Sequence, residues 1–125
     1  MKLVLALIAA LAFAGPAAAQ HSHGAHKGPN GGLVEDVAGV HAELVVSGAT
    51  ITINVMDEDN KPLPTKGYTA TVLVVAGGKR ETVTLAPSGE SALKGDAKAA
   101  VAKGAAITVT LKTSAAKSGQ AKYKL

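Results

Sequence analysis

Apolar and polar residues alternate along much of this chain, which is the period-two pattern of half-buried β-strands. In residues 40–47 the even positions are apolar, and in residues 50–56 positions 51, 53 and 55 are apolar. Only Gly48 and Ala49 separate the two runs, and a two-residue connection that begins with glycine is typical of a type II′ hairpin turn. The pattern therefore predicts a β-hairpin over residues 40–56.

The same alternation predicts further strands towards the carboxyl end. A second hairpin is expected over residues 69–86, with the Gly77-Gly78 pair at its turn, and single strands are expected over residues 107–111 and 120–125. The alanine-rich segment 96–103 suits a helical turn as well as a strand. About seven short strands with closely spaced turns predict an all-β domain, an immunoglobulin-like β-sandwich.

The amino-terminal residues have the three parts of a secretory signal. Lys2 supplies the positive charge, residues 3–13 form an apolar run, and Ala17-Ala18-Ala19 is a small-residue cleavage site. The run is shorter than the about 20 residues that span a bilayer. We therefore expect a signal peptide over residues 1–19, a flexible His- and Gly-rich arm over residues 20–32, and a β-sandwich over residues 33–125. The protein is then periplasmic, without membrane insertion after cleavage.

Composition narrows the function classes. The chain has no cysteine or tryptophan, one phenylalanine and two tyrosines, so the core must be built from aliphatic side chains without disulfides. The formal charge is +4, but the lysines are scattered and form no basic stripe. Because single-stranded nucleic acid is bound by basic grooves with stacking aromatics, we expect no nucleic-acid partner.

Three of the four histidines, His21, His23 and His26, lie within six residues of the arm. Imidazole is the commonest side-chain metal ligand, and it suits Cu(II), Ni(II) and Zn(II). If cleavage follows Gln20 instead of Ala19, His23 becomes the third residue, and amine, amides and imidazole can form a square-planar Cu(II) or Ni(II) site. The alternative is a solubilising tail whose histidines bind nothing.

The fourth histidine, His41, lies in the first predicted hairpin. Counting outward from the turn places His41 opposite Met56, with Glu43 on the same face of the sheet. Imidazole together with a thioether favours copper, because thioether sulfur binds Cu(I) well. These three residues are therefore a second candidate copper site, and the alternative is a surface histidine that touches an exposed methionine.

Other chemistries find less support. The acidic loop 57–60 lacks the glycine and distant glutamate of an EF-hand, since Lys61 and Pro62 follow it, so calcium is the weaker interpretation. The Gly-rich segment 28–32 lacks the Lys-Ser/Thr ending of a phosphate loop. No serine lies in a nucleophile-elbow motif near a histidine, so we predict that the protein is not an enzyme.

Three ordered segments carry a resemblance to known proteins: 28–32 (GPNGG), 40–45 (VHAELV) and 57–65 (DEDNKPLPT). Their order resembles small exported bacterial proteins associated with copper and other heavy-metal efflux. It is also similar to a segment of periplasmic adaptor subunits of heavy-metal efflux pumps, where a His-Gly-Gly turn precedes a His-x-Glu-Leu strand and an Asp-rich, Lys-Pro loop. By position the resemblance points at His41 and Glu43, while Asn30 stands where the adaptor segment tends to have histidine.

Taken together, these features predict a periplasmic metal-binding protein that buffers a metal or delivers it to an efflux or resistance system. Copper, as Cu(II) or Cu(I), is the expected metal, with zinc or nickel as alternatives, and the resemblance implies a periplasmic or efflux-pump protein as a partner. The alternative from another class is an interaction module of the cell envelope, with an immunoglobulin-like fold and histidines that have no role in metal binding.

Overall fold

Residues 26–125 are described by a computed structural model, and their regular structure is entirely β. The strands are β1 (His26–Lys27), β2 (Leu33–Val37), β3 (Val40–Ser47), β4 (Thr50–Met56), β5 (Thr69–Ala76), β6 (Lys79–Ser88), β7 (Ala92–Asp96), β8 (Ala106–Lys112) and β9 (Ser118–Lys124). The predicted all-β class is confirmed. The predicted signal peptide lies outside the described residues, and so do His21 and His23 of the predicted arm.

The nine strands form one antiparallel sheet that curls on itself, in the order β1-β2-β3-β4-β7-β6-β5-β8-β9. The curl depends on β6, whose first part pairs with β5 and whose last residues, Ala86 to Ser88, pair with β7. One strand thus belongs to both halves of the sheet. At the open side β2 comes close to β9 without pairing. Within residues 26–125 there is no helix of the length and hydropathy needed to cross a bilayer.

The predicted hairpin over residues 40–56 forms as expected. Ser47 pairs with Thr50 and the pairing runs without a break to His41 and Met56. Gly48 has φ of 59°, which suits the first central residue of a type II′ turn. The two-residue turn therefore fixes the register, and with it the side chains that share each face.

Three of the nine strands, β1, β2 and β7, are additional to the six whose positions the sequence pattern predicts. In β2 the acidic pair Glu35-Asp36 interrupts the apolar pattern, and β7 buries only Leu93 completely. The third, β1, lies in the segment that the sequence pattern assigns to the flexible arm. Residues 26–32 are nevertheless paired or hydrogen-bonded, since β1 pairs with β2 and the Gly28 amide donates to the Gly32 carbonyl at 2.9 Å.

The core is aliphatic, as the composition predicts. The inward positions of β3, β4, β5 and β8 are almost completely buried, and the largest fully buried apolar side chains are Leu44, Ile51, Ile53, Leu93, Ile107 and Leu111. Two aromatic side chains, Tyr68 and Tyr123, join this cluster. Each small aliphatic side chain contributes only about 1.5–3 kcal/mol by burial, so the domain depends on many such contacts.

Tyr123 connects the two ends of the curled sheet. It is 3% exposed on β9, and its hydroxyl donates to the Ala42 carbonyl of β3 at 2.8 Å. Burial, with smaller contributions from the charges of Glu35 and Asp36, raises the pKa of Tyr123 well above its ordinary value of 10.0. The neutral phenol is therefore the form that the fold accommodates.

Replacing Tyr123 with phenylalanine tests this connection. At neutral pH, Y123F leaves the Ala42 carbonyl without its donor and should lower the free energy of unfolding by about 1–3 kcal/mol. Because the folded-state pKa is raised, the unfolded chain ionises first above about pH 10, so the wild type loses stability as pH rises further. Y123F has no phenol at this position, so it does not lose stability through this ionisation.

The measurement is urea unfolding of both proteins at about pH 8 and about pH 11. Lysine titration affects the two proteins alike and cancels in the difference. The gap between them should therefore narrow or reverse at the higher pH. An unchanged gap would contradict the assignment of a buried, neutral Tyr123.

Candidate functional site

His41 lies on the outer face of the sheet, in a row of cross-strand partners. It pairs with Asp36 on β2 and with Met56 on β4. The pairing with Met56 is the one predicted from the Gly48-Ala49 turn. The pairing with Asp36 is not predicted, because the alternation of apolar residues does not indicate β2. The Ala38-Gly39 connection between β2 and β3 is the signal that would give its register.

Both ring nitrogens of His41 have partners. The Nε2 atom lies 2.9 Å from Asp36 Oδ1, and Nδ1 lies 3.2 Å from Asn60 Oδ1. The side chain is 19% exposed, whereas that of Asp36 is 70% exposed. When Nε2 donates to the carboxylate, a neutral ring keeps a lone pair on Nδ1, and a protonated ring donates at both atoms. A metal that binds at Nε2 must therefore displace Asp36 or share it as a ligand.

His26 brings a second imidazole to His41. Its position opposite Val34 places β1 beside β2, and the two histidine rings meet edge to face with centroids 6.4 Å apart and planes at 81°. His26 is exposed. The two histidines come from separate motifs, the arm and the strand, and only the pairing of β1 with β2 brings them together.

Glu43 has a different environment, since it is completely buried. Its carboxylate accepts a hydrogen bond from the Asn30 amide at 2.9 Å, one from Asn30 Nδ2 at 2.8 Å and one from the Gly32 amide at 2.8 Å. Such charge-assisted bonds satisfy a carboxylate that would otherwise be very costly to bury. Glu43 therefore fixes the turn over residues 28–32 against β3. Its role as a metal ligand stays a prediction.

Two of the three glycines of this turn, Gly28 and Gly32, are required by close packing against Glu43 and its neighbour Leu44. A Cβ atom at Gly28 would lie 2.5 Å from Glu43 Cδ, and one at Gly32 would lie 2.3 Å from the Leu44 carbonyl oxygen. Neither position has space for a side chain. The Gly-rich segment and the glutamate of the HAEL segment are thus one packing unit, which we call the turn clamp (residues 28–32 with Glu43).

Met56 is 3% exposed and forms an isolated bridge with Pro62. The loop between them is held by Asp57, whose Oδ1 accepts from the Asp59 and Lys61 amides at 2.9 Å each. This carboxylate oxygen is committed to its own backbone. The acidic loop therefore has the contacts of a turn, and through Asn60 it also holds the ring of His41.

A shallow depression lies beside His41 and is lined by Asp36, Gly39, Val40 and Glu58 as well. Over residues 26–125, no group of three or more His, Asp or Glu side chains is close enough to hold a metal ion. The imidazoles of His26 and His41 and the carboxylate of Asp36 are therefore neighbours that do not form a metal site as they stand. The arm histidines His21 and His23 lie outside the described residues.

No protein-family model matches this chain, and no curated protein or solved structure shows a significant similarity to it.

The hydrogen bonds of the turn clamp predict that loss of the Glu43 carboxylate lowers the free energy of unfolding. Glu43→Gln replaces one acceptor oxygen with an NH₂ group that faces backbone donors, so it should lower the free energy of unfolding by about 2–4 kcal/mol. The matched control is Glu90→Gln, the same change at an exposed residue, which should stay within about 0.5 kcal/mol of wild type. Equal effects of the two substitutions in urea unfolding would show that the buried carboxylate does not hold the turn.

Proposed function

We propose that this protein is an exported, periplasmic metal-binding protein that buffers copper or delivers it to an efflux system. The observation that supports it best is the meeting of His26, from the His-rich arm, with His41, whose Nε2 atom contacts the Asp36 carboxylate at 2.9 Å. Two imidazoles and a carboxylate are donors that late first-row divalent metals accept.

His26 has the freedom that binding requires. Ligating nitrogens lie about 2.0–2.1 Å from an ion such as Zn²⁺, so the ring of His26 must turn a nitrogen towards Nε2 of His41. Because His26 is exposed and lies in a two-residue strand, this movement disturbs little packing. Asp36, which is also mostly exposed, can move from the proton of His41 to the ion.

The sequence has two further histidines shortly before His26. His23 is three residues before His26, so the chain limits their separation to about 10 Å. His21 lies two residues further upstream. We propose that these histidines complete a Cu(II) site, with zinc or nickel as alternatives. Met56, next to His41 in the sheet, adds a thioether that favours Cu(I).

Glu43 takes a supporting role in this proposal. Its carboxylate holds the turn that follows β1, and so it sets where His26 stands relative to His41. We further propose that the two halves of the curled sheet form an immunoglobulin-like sandwich. The signal-like residues 1–19 and the resemblance to efflux-associated proteins support the compartment and the efflux partner.

Metal titration tests the proposal. Protein purified without a polyhistidine tag is titrated with Cu(II), Cu(I) and Zn(II), and compared with the H21A/H23A/H26A variant, with His41→Ala and with Met56→Leu. We expect stoichiometric copper binding tighter than micromolar, lost in the triple variant and weakened in His41→Ala. Met56→Leu, close to volume-conserving, should weaken Cu(I) binding selectively while lowering stability by less than about 1.5 kcal/mol.

The role of the Asp36 carboxylate is tested by one substitution and a matched control. Asp36→Asn keeps the shape of the side chain but removes its charge, and groups that orient a ligating histidine typically change metal affinity about 10–100-fold. Asp59→Asn, the same change on the exposed loop, should leave affinity unchanged. If neither copper nor zinc binds the wild type at micromolar concentration, the metal-binding proposal is wrong and the envelope interaction module takes its place.

The pH dependence separates imidazole from carboxylate ligands. Imidazole binds a metal only in its deprotonated form, so protons compete with copper for it. Affinity should fall steadily as pH is lowered from about 7.5 to about 5. Calorimetric titrations in buffers of several pH values measure this, and binding that ignores pH over that range would point to the acidic loop and to calcium.

A further inference from the structure

A second concave surface lies at the opposite end of the sheet from His41, where the β5–β6 hairpin extends past the core. Along β3, His41 and Gly48 are separated by seven residues, or about 23 Å at the rise of a strand. A loop, residues 97–102, lies beside the hairpin there, and the two line a groove of about 550 Å³, which we call the mouth groove.

The floor of the mouth groove is apolar and made of small side chains. Val74 and Ala76 from β5 meet Ala97, Ala100 and Val101 from the loop. Ala100 is exposed, whereas Ala97 belongs to the buried core. Alanine side chains end at Cβ, so the floor is narrow and smooth, and its volume falls in the range of about 300–1,000 Å³ typical of small-molecule pockets.

Backbone hydrogen bonds hold the loop over residues 97–102 in place. The Ala97 amide donates to the Ala49 carbonyl at 2.8 Å, and the Val101 amide donates to the Gly48 carbonyl at 2.9 Å. The Lys98 amide donates to Glu81 Oε1 at 2.8 Å. These bonds join the loop to two hairpins. The groove is therefore formed in advance of any ligand, which lowers the entropy lost on binding.

The rim of the mouth groove is cationic. Lys79 and Lys98 line it, and the carboxylate of Glu81, which is also in the lining, accepts a hydrogen bond from the loop backbone. Arg80, the next strand residue after Lys79, faces the other side of the hairpin, since it pairs with Val75 and not with Val74 or Ala76. In the described part of the chain, neither lysine is in an ion pair. An apolar floor beneath unpaired cations complements a molecule with an alkyl body and an anionic head.

We propose that the mouth groove binds a single-chain anionic amphiphile, an alkyl chain that ends in a carboxylate. The chain lies along the alanine floor, and the carboxylate accepts hydrogen bonds from Lys79 and Lys98 at the rim. This site is independent of the metal proposal, because the two share no residue.

Decanoate, kept below its micelle-forming concentration, is the probe. Titration into ¹⁵N-labelled protein should shift the amides of residues 79–81 and 97–102 in a saturable way, with one decanoate per chain. Decanol, which lacks the charge, and butyrate, which lacks most of the chain, should each bind at least about tenfold more weakly, or about 1.4 kcal/mol. Equal binding of decanol or of butyrate would overturn the proposal.

Two variants locate the site. Lys79→Gln with Lys98→Gln removes rim charge, and Ala100→Glu places a carboxylate on the exposed floor. Both should weaken decanoate binding about tenfold or more. The matched control is Lys112→Gln with Lys124→Gln, the same charge change at exposed residues of β8 and β9, which should keep wild-type affinity.

Three results would count against the mouth groove. If the control variant weakens decanoate binding as much as the rim variant does, the affinity depends on the net charge of the protein and not on the groove. If the shifted amides lie elsewhere, the groove is not the site. If anionic phospholipid vesicles bind the protein while monomeric decanoate does not, the surface recognises a membrane instead of a free amphiphile.

Discussion

The buried carboxylate of Glu43 is the interaction on which the arrangement of the amino-terminal part depends. It accepts three hydrogen bonds from Asn30 and Gly32, and within residues 26–125 it forms no ion pair. Those bonds close the turn over residues 28–32, and the turn directs β1 along β2. His26 stands beside His41 only because this chain of contacts is complete.

The remaining stability comes from an aliphatic core that a few polar contacts cross, among them that of Tyr123. Small side chains such as Ile53 and Val72 fill the interior, and neither disulfides nor bulky aromatic clusters assist them. The hydroxyl of Tyr123 reaches the backbone of β3 from β9 and ties together strands that are far apart in the sheet order.

The sequence predicts those features of the fold that depend on residues close together in the chain. A two-residue turn at Gly48 sets the register of β3 and β4, so the pairing of His41 with Met56 could be counted from the sequence. Asp36 could not be placed, because β2 has little apolar alternation and is formed by pairing with β3. The function of Glu43 was equally out of reach, since a glutamate on the outer face of a strand is usually solvated, and only tertiary structure shows the turn that covers it.

The sharing of β6 between the halves of the sheet has a consequence for cooperativity. Residues that pair with β5 and residues that pair with β7 lie on one continuous strand, so the two halves are joined through β6 as well as through the shared core. The amides in the middle of β6 are therefore expected to exchange with solvent more slowly than those of the short outer strand β1 and of the loops. In a small protein with a modest core, this connectivity favours cooperative unfolding of the two halves of the sheet.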